Sequence, residues 1–234
     1  MLTARAPRIS TLAGLREALT RRAGPEAADW LAAATREIGA QPAALHRHFP
    51  EAGRRCGRGA LEPAEETDRA DQADAPAEAD GLPAGLAWTV DDAARALLLA
   101  AVPLRGAELA ARASAVYHEG DAAERRGVLR ALSLLDVGEH ALPLVRDALR
   151  TDDARLLAAA LGPYAARNLD PHTWRHAVLK CLHRSIPLAA VDGVVRRRDG
   201  ELRRMACDYA VELTDAGRPV PSDLWFLTGH LPRS

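Results

Sequence analysis

The sequence predicts an all-α protein, and three observations carry that prediction. Alanine, leucine and arginine dominate while aromatic residues make up only 4%, a mixture that favours helix over sheet. Apolar residues recur three and four positions apart in one segment after another, the spacing of a helix face. The connectors Glu119-Gly120-Asp121, Asp136-Val137-Gly138 and Thr151-Asp152 are short, which makes successive helices antiparallel neighbours. From about 105 to 161 the pattern predicts HEAT-like antiparallel helical hairpins forming a curved bundle. No clean internal sequence repeat accompanies it.

Ser10 or Thr11 caps a first helix to about Arg22, with Leu12, Leu15 and Leu19 on one face. Gly24-Pro25 ends it, and Pro25 suits the first turn of a second helix carrying Ala28, Trp30, Leu31, Ala34 and Ile38. Residues 41–48 read as a further short helix, before a Gly/Arg-rich stretch at 53–59. Residues 62–80 hold eight acids, one arginine and no large apolar side chain. Such a segment buries too little to offset its ordering entropy. Residues 60–86 therefore read as a mobile acidic loop, between an N-terminal helical part (1–59) and a helical core (87–234).

Order resumes at Trp88. Thr89 is an N-cap, Asp91 and Asp92 suit the positive end of the helix dipole, and the helix runs apolar to a stop near Pro103. Helices follow at about 105–118, 121–134, 138–150 and 152–161. Tyr164 sits in a corner after Gly162-Pro163, where its hydroxyl lines a pocket or closes a structural hydrogen bond. Asp170 caps, and Pro171 opens, a helix through His183. The Arg196-Arg197-Arg198 run reads as a solvated turn before a helix at about 198–216, with Leu202, Met205, Ala206, Tyr209 and Leu213 at core spacing. A last turn from Ser222 buries Leu224, Trp225 and Leu227.

Charge and motifs exclude several function classes. The net charge of −1 supplies no global field toward nucleic acid or an anionic membrane. The three cysteines, Cys56, Cys181 and Cys207, are far apart and odd in number. That argues against a disulfide framework and a cysteine-rich zinc site, and for a reducing cytoplasm. The N-terminus lacks the apolar core of a signal peptide, and the apolar run at 96–104 is too short to span a bilayer. No Gly-rich phosphate loop, Walker motif or nucleophile elbow stands out, so no cofactor is expected.

One segment invites chemistry. Lys180 is the only lysine among 31 cationic residues, and helical spacing puts it on one face with His172, His176 and His183. Trp174, Ala177, Val178, Cys181 and Leu182 make the adjacent apolar stripe. Metal binding is disfavoured: two histidines four apart can share a zinc ion, with Asp170 one possible further ligand, but HExxH is absent and an ammonium one turn from His176 repels a cation. A lysine beside histidines can act as a general base or Schiff-base nucleophile. The same groups, with Arg175 or Arg184, can hold a phosphate or carboxylate. The plain structural alternative is a partly solvated face, with Lys180 paired to Asp208 or Glu212.

Several stretches together resemble the EboA family. They are Trp88-Thr-Val-Asp-Asp-Ala-Ala-Arg95 with its Leu-rich helix, Pro163-Tyr164, Trp174 with Val178-Leu-Lys180, and Ile186-Pro-Leu188. Glu201-Leu-x-x-Met205-x-x-Asp208-Tyr209-Ala210, Gly217-Arg-Pro-Val220 and Trp225 complete the set. The likeness covers about 88–230 well and the N-terminal block loosely. Arg175 and His176 stand where the family tends to have polar amides, and Gly162 where it tends to have asparagine. The resemblance implies a soluble, all-helical bacterial protein that accompanies metabolic enzymes and a prenyltransferase-like membrane protein in gene clusters. It implies a context, secondary-metabolite formation or precursor export, and no established reaction.

Three functional readings follow. The first is an accessory protein that binds a small apolar metabolite, or a biosynthetic partner protein, in a groove near Tyr164, Trp174 and Lys180. Arg175, His172 and His183 are further ligand contacts in that reading. The second is a cofactor-free cyclase, isomerase or lyase, with Lys180 as base or iminium former and His176 and Tyr164 as acid partners. The third is a HEAT-like protein scaffold.

Overall fold

A computed structural model describes residues 11–61 and 86–229 of the chain. The expected acidic loop falls almost wholly on 62–85, outside the described residues. Thirteen α-helices and three short 3-10 turns make up the described chain, with one isolated bridge, Ala60 to Thr89, and no strand. The chain divides into two compact units, residues 1–141 and 142–234.

The first unit holds α1 (Leu12–Ala23), α2 (Pro25–Ala40), α3 (Leu45–Cys56), α4 (Val90–Ala100), α5 (Gly106–Glu119) and α6 (Ala122–Ala131). Thr11 caps α1 through its side chain, Gly24 ends it at φ 82°, and Pro25 opens α2. The short helix expected at 41–48 is a 3-10 turn, Pro42–Ala44, that feeds α3. That helix continues through Pro50 and Gly53, because Leu45, Phe49, Ala52 and Cys56 recur at helical spacing and are all buried. Their burial outweighs the hydrogen bond that Pro50 cannot donate.

At the centre lies α4, buried on every side from Val90 to Leu99 and packed against α1, α2, α3 and α6. A helix apolar all round belongs in a core, yet this one carries Asp91, Asp92 and Arg95 inside it. Gly127 lets α6 come close, since a Cβ there would lie 2.7 Å from Arg95 Cδ and 3.1 Å from Arg95 Cβ.

The second unit holds α7 (Leu142–Ala148), α8 (Ala154–Ala160), α9 (Pro163–Asn168), α10 (Pro171–His183), α11 (Val194–Arg197), α12 (Gly200–Asp215) and α13 (Ser222–Thr228). The helix expected from 138 begins only at Leu142, because Gly138 turns the chain at φ 53° and Pro143 suits a first turn. Aspartates cap three helices: Asp153 on α8, Asp170 on α10 and Asp199 on α12. Its core gathers Leu157, Leu161, Trp174, Val178, Cys181, Leu202, Ala206 and Leu224. Within the span expected to form hairpins, α5 packs on α6 and α7 on α8 as sequential neighbours.

Candidate functional site

The corner at α9 is built from both of its ends. Pro163 opens it at the first position, and Tyr164, Ala165 and Ala166 are buried. Six residues leave most of its terminal carbonyls without a partner inside the helix. Arg197 of α11 supplies one, donating to Ala165 O and Ala166 O at 3.2 Å and to Leu169 O at 2.7 Å. Its guanidinium also lies over the Trp174 ring, 4.8 Å from the centroid. Burial, and then the neighbouring Arg196, press its pKa down. The Arg196–Arg198 run is therefore no solvated turn: Arg197 caps α9, and Arg198 donates to Phe226 O at 2.8 Å.

Beside this clamp is an open cavity of about 480 Å³ lined by Pro163, Ala166, Arg167, Asp192 and Arg196. Pro163 and Ala166 supply an apolar wall. Arg167 and Arg196 supply guanidinium groups and Asp192 a carboxylate, and of these Arg196 can offer a fork to a carboxylate or phosphate. Trp174 lies underneath rather than on the wall: it is 1% exposed, and its indole Nε1 has no hydrogen-bond partner among the described residues.

Lys180 points elsewhere. Its Nζ donates to Leu149 O at 2.8 Å and to Thr151 O at 2.7 Å, where the chain passes from α7 to α8. Asp152 is 3.9 Å away and also pairs with Arg184. Neither Asp208 nor Glu212 is its partner; Asp208 receives Arg204. Two of the three ammonium donors are thus committed to backbone carbonyls, a clamp between α10 and the end of α7. Arg175 pairs with Asp199 at 2.7–3.1 Å, tying α10 to the cap of α12. The pairing lowers the Asp199 pKa and raises that of Arg175.

The three histidines are exposed. His172 and His176 meet edge to face at 4.4 Å. His183 Nδ1 donates to Leu179 O at 2.7 Å, and its ring packs 4.0 Å from that of Tyr209. Helical spacing thus brings His172 and His176 together, while Lys180 and His183 turn to separate partners. No group of three His, Cys, Asp or Glu side chains among the described residues is placed to hold a metal ion.

Sequence reasoning missed a second constellation, in the first unit. Thr89 and Asp92 form a capping box at α4, as capping predicts. Beyond that, Asp91 accepts from the Thr89 hydroxyl at 2.6 Å and from Arg95, while Asp92 accepts from Arg126 Nε at 3.0 Å. Arg126 also donates to Thr89 Oγ1 at 3.0 Å, and Arg130 Nε lies 3.2 Å from Asp92. All five charged side chains are buried. The sequence signals were the adjacent Asp91 and Asp92, which capping alone could explain, and an arginine pair four apart on α6.

Fold and site together define an all-helical chain with an arginine-lined cavity on one unit and a buried charge cluster in the other. It belongs to the EboA family, whose profile, described as "Metabolite traffic protein EboA", matches residues 11–229. The match includes the N-terminal helices, where the likeness in sequence was loose. No curated protein and no solved structure matches the chain. No helix among the described residues is long and apolar enough to cross a membrane.

Proposed function

We propose that this chain is an accessory protein of metabolite handling, in secondary-metabolite biosynthesis or precursor export, and that it binds a small metabolite carrying an anionic group. The observation that carries the reading is the cavity beside α9 and α11. Its volume of about 480 Å³ is in the range of small-molecule sites. An apolar stem lies on Pro163 and Ala166, and the anionic end meets Arg196. The family description, metabolite traffic, supports the same reading. Tyr164 and Trp174 act from below, by holding the short helix that carries the wall.

A lysine held by two carbonyls favours this accessory role over the enzymatic one, since its ammonium is engaged in holding the backbone. The test is a titration of the purified protein with fractions of a cell extract, followed by ¹H–¹⁵N spectra. Binding shifts the Trp174 indole and Arg197 Nε signals in the wild type and leaves them still in Arg196→Glu. If no fraction moves either signal, or if Arg196→Glu responds like the wild type, the cavity is not the binding site.

A further inference from the structure

Among the described residues, the buried cluster of the first unit does not balance. Asp91 and Asp92 carry two negative charges, and Arg95, Arg126 and Arg130 carry three positive ones, so one positive charge is left over. Cys56, close enough to feel Asp91 and Arg95, does not supply the missing anion: burial pushes its thiol up to about 11. Among the described residues, the charges that act on Arg130 are Asp92, Arg126 and Asp91, with no further carboxylate. An unmatched charge at this depth is costly unless something pairs with it.

Hydrogen bonding is short of acceptors in the same place. Thr89 and the arginines already occupy the oxygens of Asp91 and Asp92. Arg95 Nε is buried without a hydrogen bond, and Arg130 Nε, 3.2 Å from Asp92 Oδ2, forms an ion pair there but is not aligned for a hydrogen bond. Arg126 bonds through Nε and Nη2, and Arg130 through Nη2 to Leu86 O at 2.9 Å. The Nη1 groups of both make no hydrogen bond among the described residues and are not fully enclosed. The spare donors lie toward the surface: Asp91 and Asp92 are fully enclosed, whereas Arg126 and Arg130 keep 7% and 8% exposure. They stand one turn apart on α6, a spacing at which two side chains converge on one point. Half-buried Trp88 lies against Arg130, 5.5 Å from ring centre to guanidinium.

We propose that Arg126 and Arg130, backed by Arg95, form a binding site for a single oxyanion, the phosphate or carboxylate end of a small molecule whose stem lies on Trp88. The bound anion completes the charge balance and accepts the idle guanidinium donors. Asp91 and Asp92 hold the forks in place and do not touch the ligand. This site belongs to the first unit and is independent of the cavity beside α9.

Orthophosphate and acetate are the probes, each titrated into the whole protein at fixed ionic strength. The readouts are thermal unfolding and the Arg Nε–Hε signals in ¹H–¹⁵N spectra. The expected result is a saturable rise in Tm, with shifts at the Arg126 and Arg130 signals. The arm that saturates identifies phosphate or carboxylate as the preferred group, and equal responses identify a general oxyanion site. Arg130→Lys keeps the charge but loses the fork, and is expected to weaken binding at least tenfold. Arg36→Gln, an exposed arginine on α2, is expected to bind like the wild type. Should Arg130→Lys not fold, Arg126→Lys makes the same comparison. No saturable shift with either anion, or undiminished affinity in both lysine variants, overturns the proposal.

Discussion

Lys180 shows how a single ion can be used to hold backbone, and its replacement separates a clamp from a base. Lys180→Met takes the donor from Leu149 O and Thr151 O and is expected to cost about 1–3 kcal/mol of unfolding free energy in urea. Lys180→Arg can still donate to both carbonyls and is expected to retain most of that stability, which a base or Schiff-base role does not explain. The cysteines give a second residue-scale prediction. Burial pushes the Cys56 thiol up to about 11 and that of Cys181 to about 12. At mildly alkaline pH a thiol-directed alkylating agent is expected to label only half-buried Cys207 in the folded protein, as peptide mapping reads out. The lone lysine was legible as an oddity, but its partners, 31 and 29 residues away, were not. Nothing local in the sequence encodes which carbonyls a distant ammonium will meet.

The elements were more legible, because capping and periodicity are local. Thr89, Asp170 and the Pro25 and Pro171 starts match the sequence reading, and of the two caps it offered for α1, Ser10 or Thr11, Thr11 is the one used, since each acts within one turn. Asp91 shows the limit of such reading. Its burial depends on α6 arriving from 30 residues downstream, and Gly127 permits the approach. Gly127→Ala is expected to destabilise the protein by about 1–3 kcal/mol, because backbone or Arg95 Cβ must shift. Thr89→Ala removes the cap together with bonds to Asp91 and Arg126, an expected loss of about 2–3 kcal/mol. Both are checked by denaturant unfolding. In the second unit, hydrogen bonds from Arg175 and the Leu202 N–H hold the Asp199 carboxyl below its usual 3.8, and the Thr173 N–H does the same for Asp170. A depressed folded pKa means that the unfolded chain binds protons first. The caps therefore contribute in full above the usual carboxylate value, and that contribution is lost as pH falls through the lower folded values. Asp199→Asn is expected to flatten the fall of the urea midpoint between about pH 5 and 2.

At the scale of the whole chain, the helical class was readable from composition and spacing, and the family from scattered motifs. The division at 141/142 was not. The connectors look alike on either side of it, and only tertiary packing tells a unit boundary from a hairpin. The expected site was spread along one helix face of α10. The structure redistributes those residues: Trp174 goes beneath the α9 corner, Lys180 to the α7–α8 link, and the histidines to the surface. Open space lies instead beside α9, where Arg167, Arg196 and Asp192 line the cavity, and the short basic run could not announce it. The most direct measurement is mass spectrometry of small molecules released from protein purified from its native cell. The account predicts a near-stoichiometric small molecule bearing a phosphate or carboxylate, present with the wild type and absent from Arg196→Glu. A wild-type protein that releases nothing, or an Arg196→Glu protein that releases the same molecule in the same amount, contradicts it.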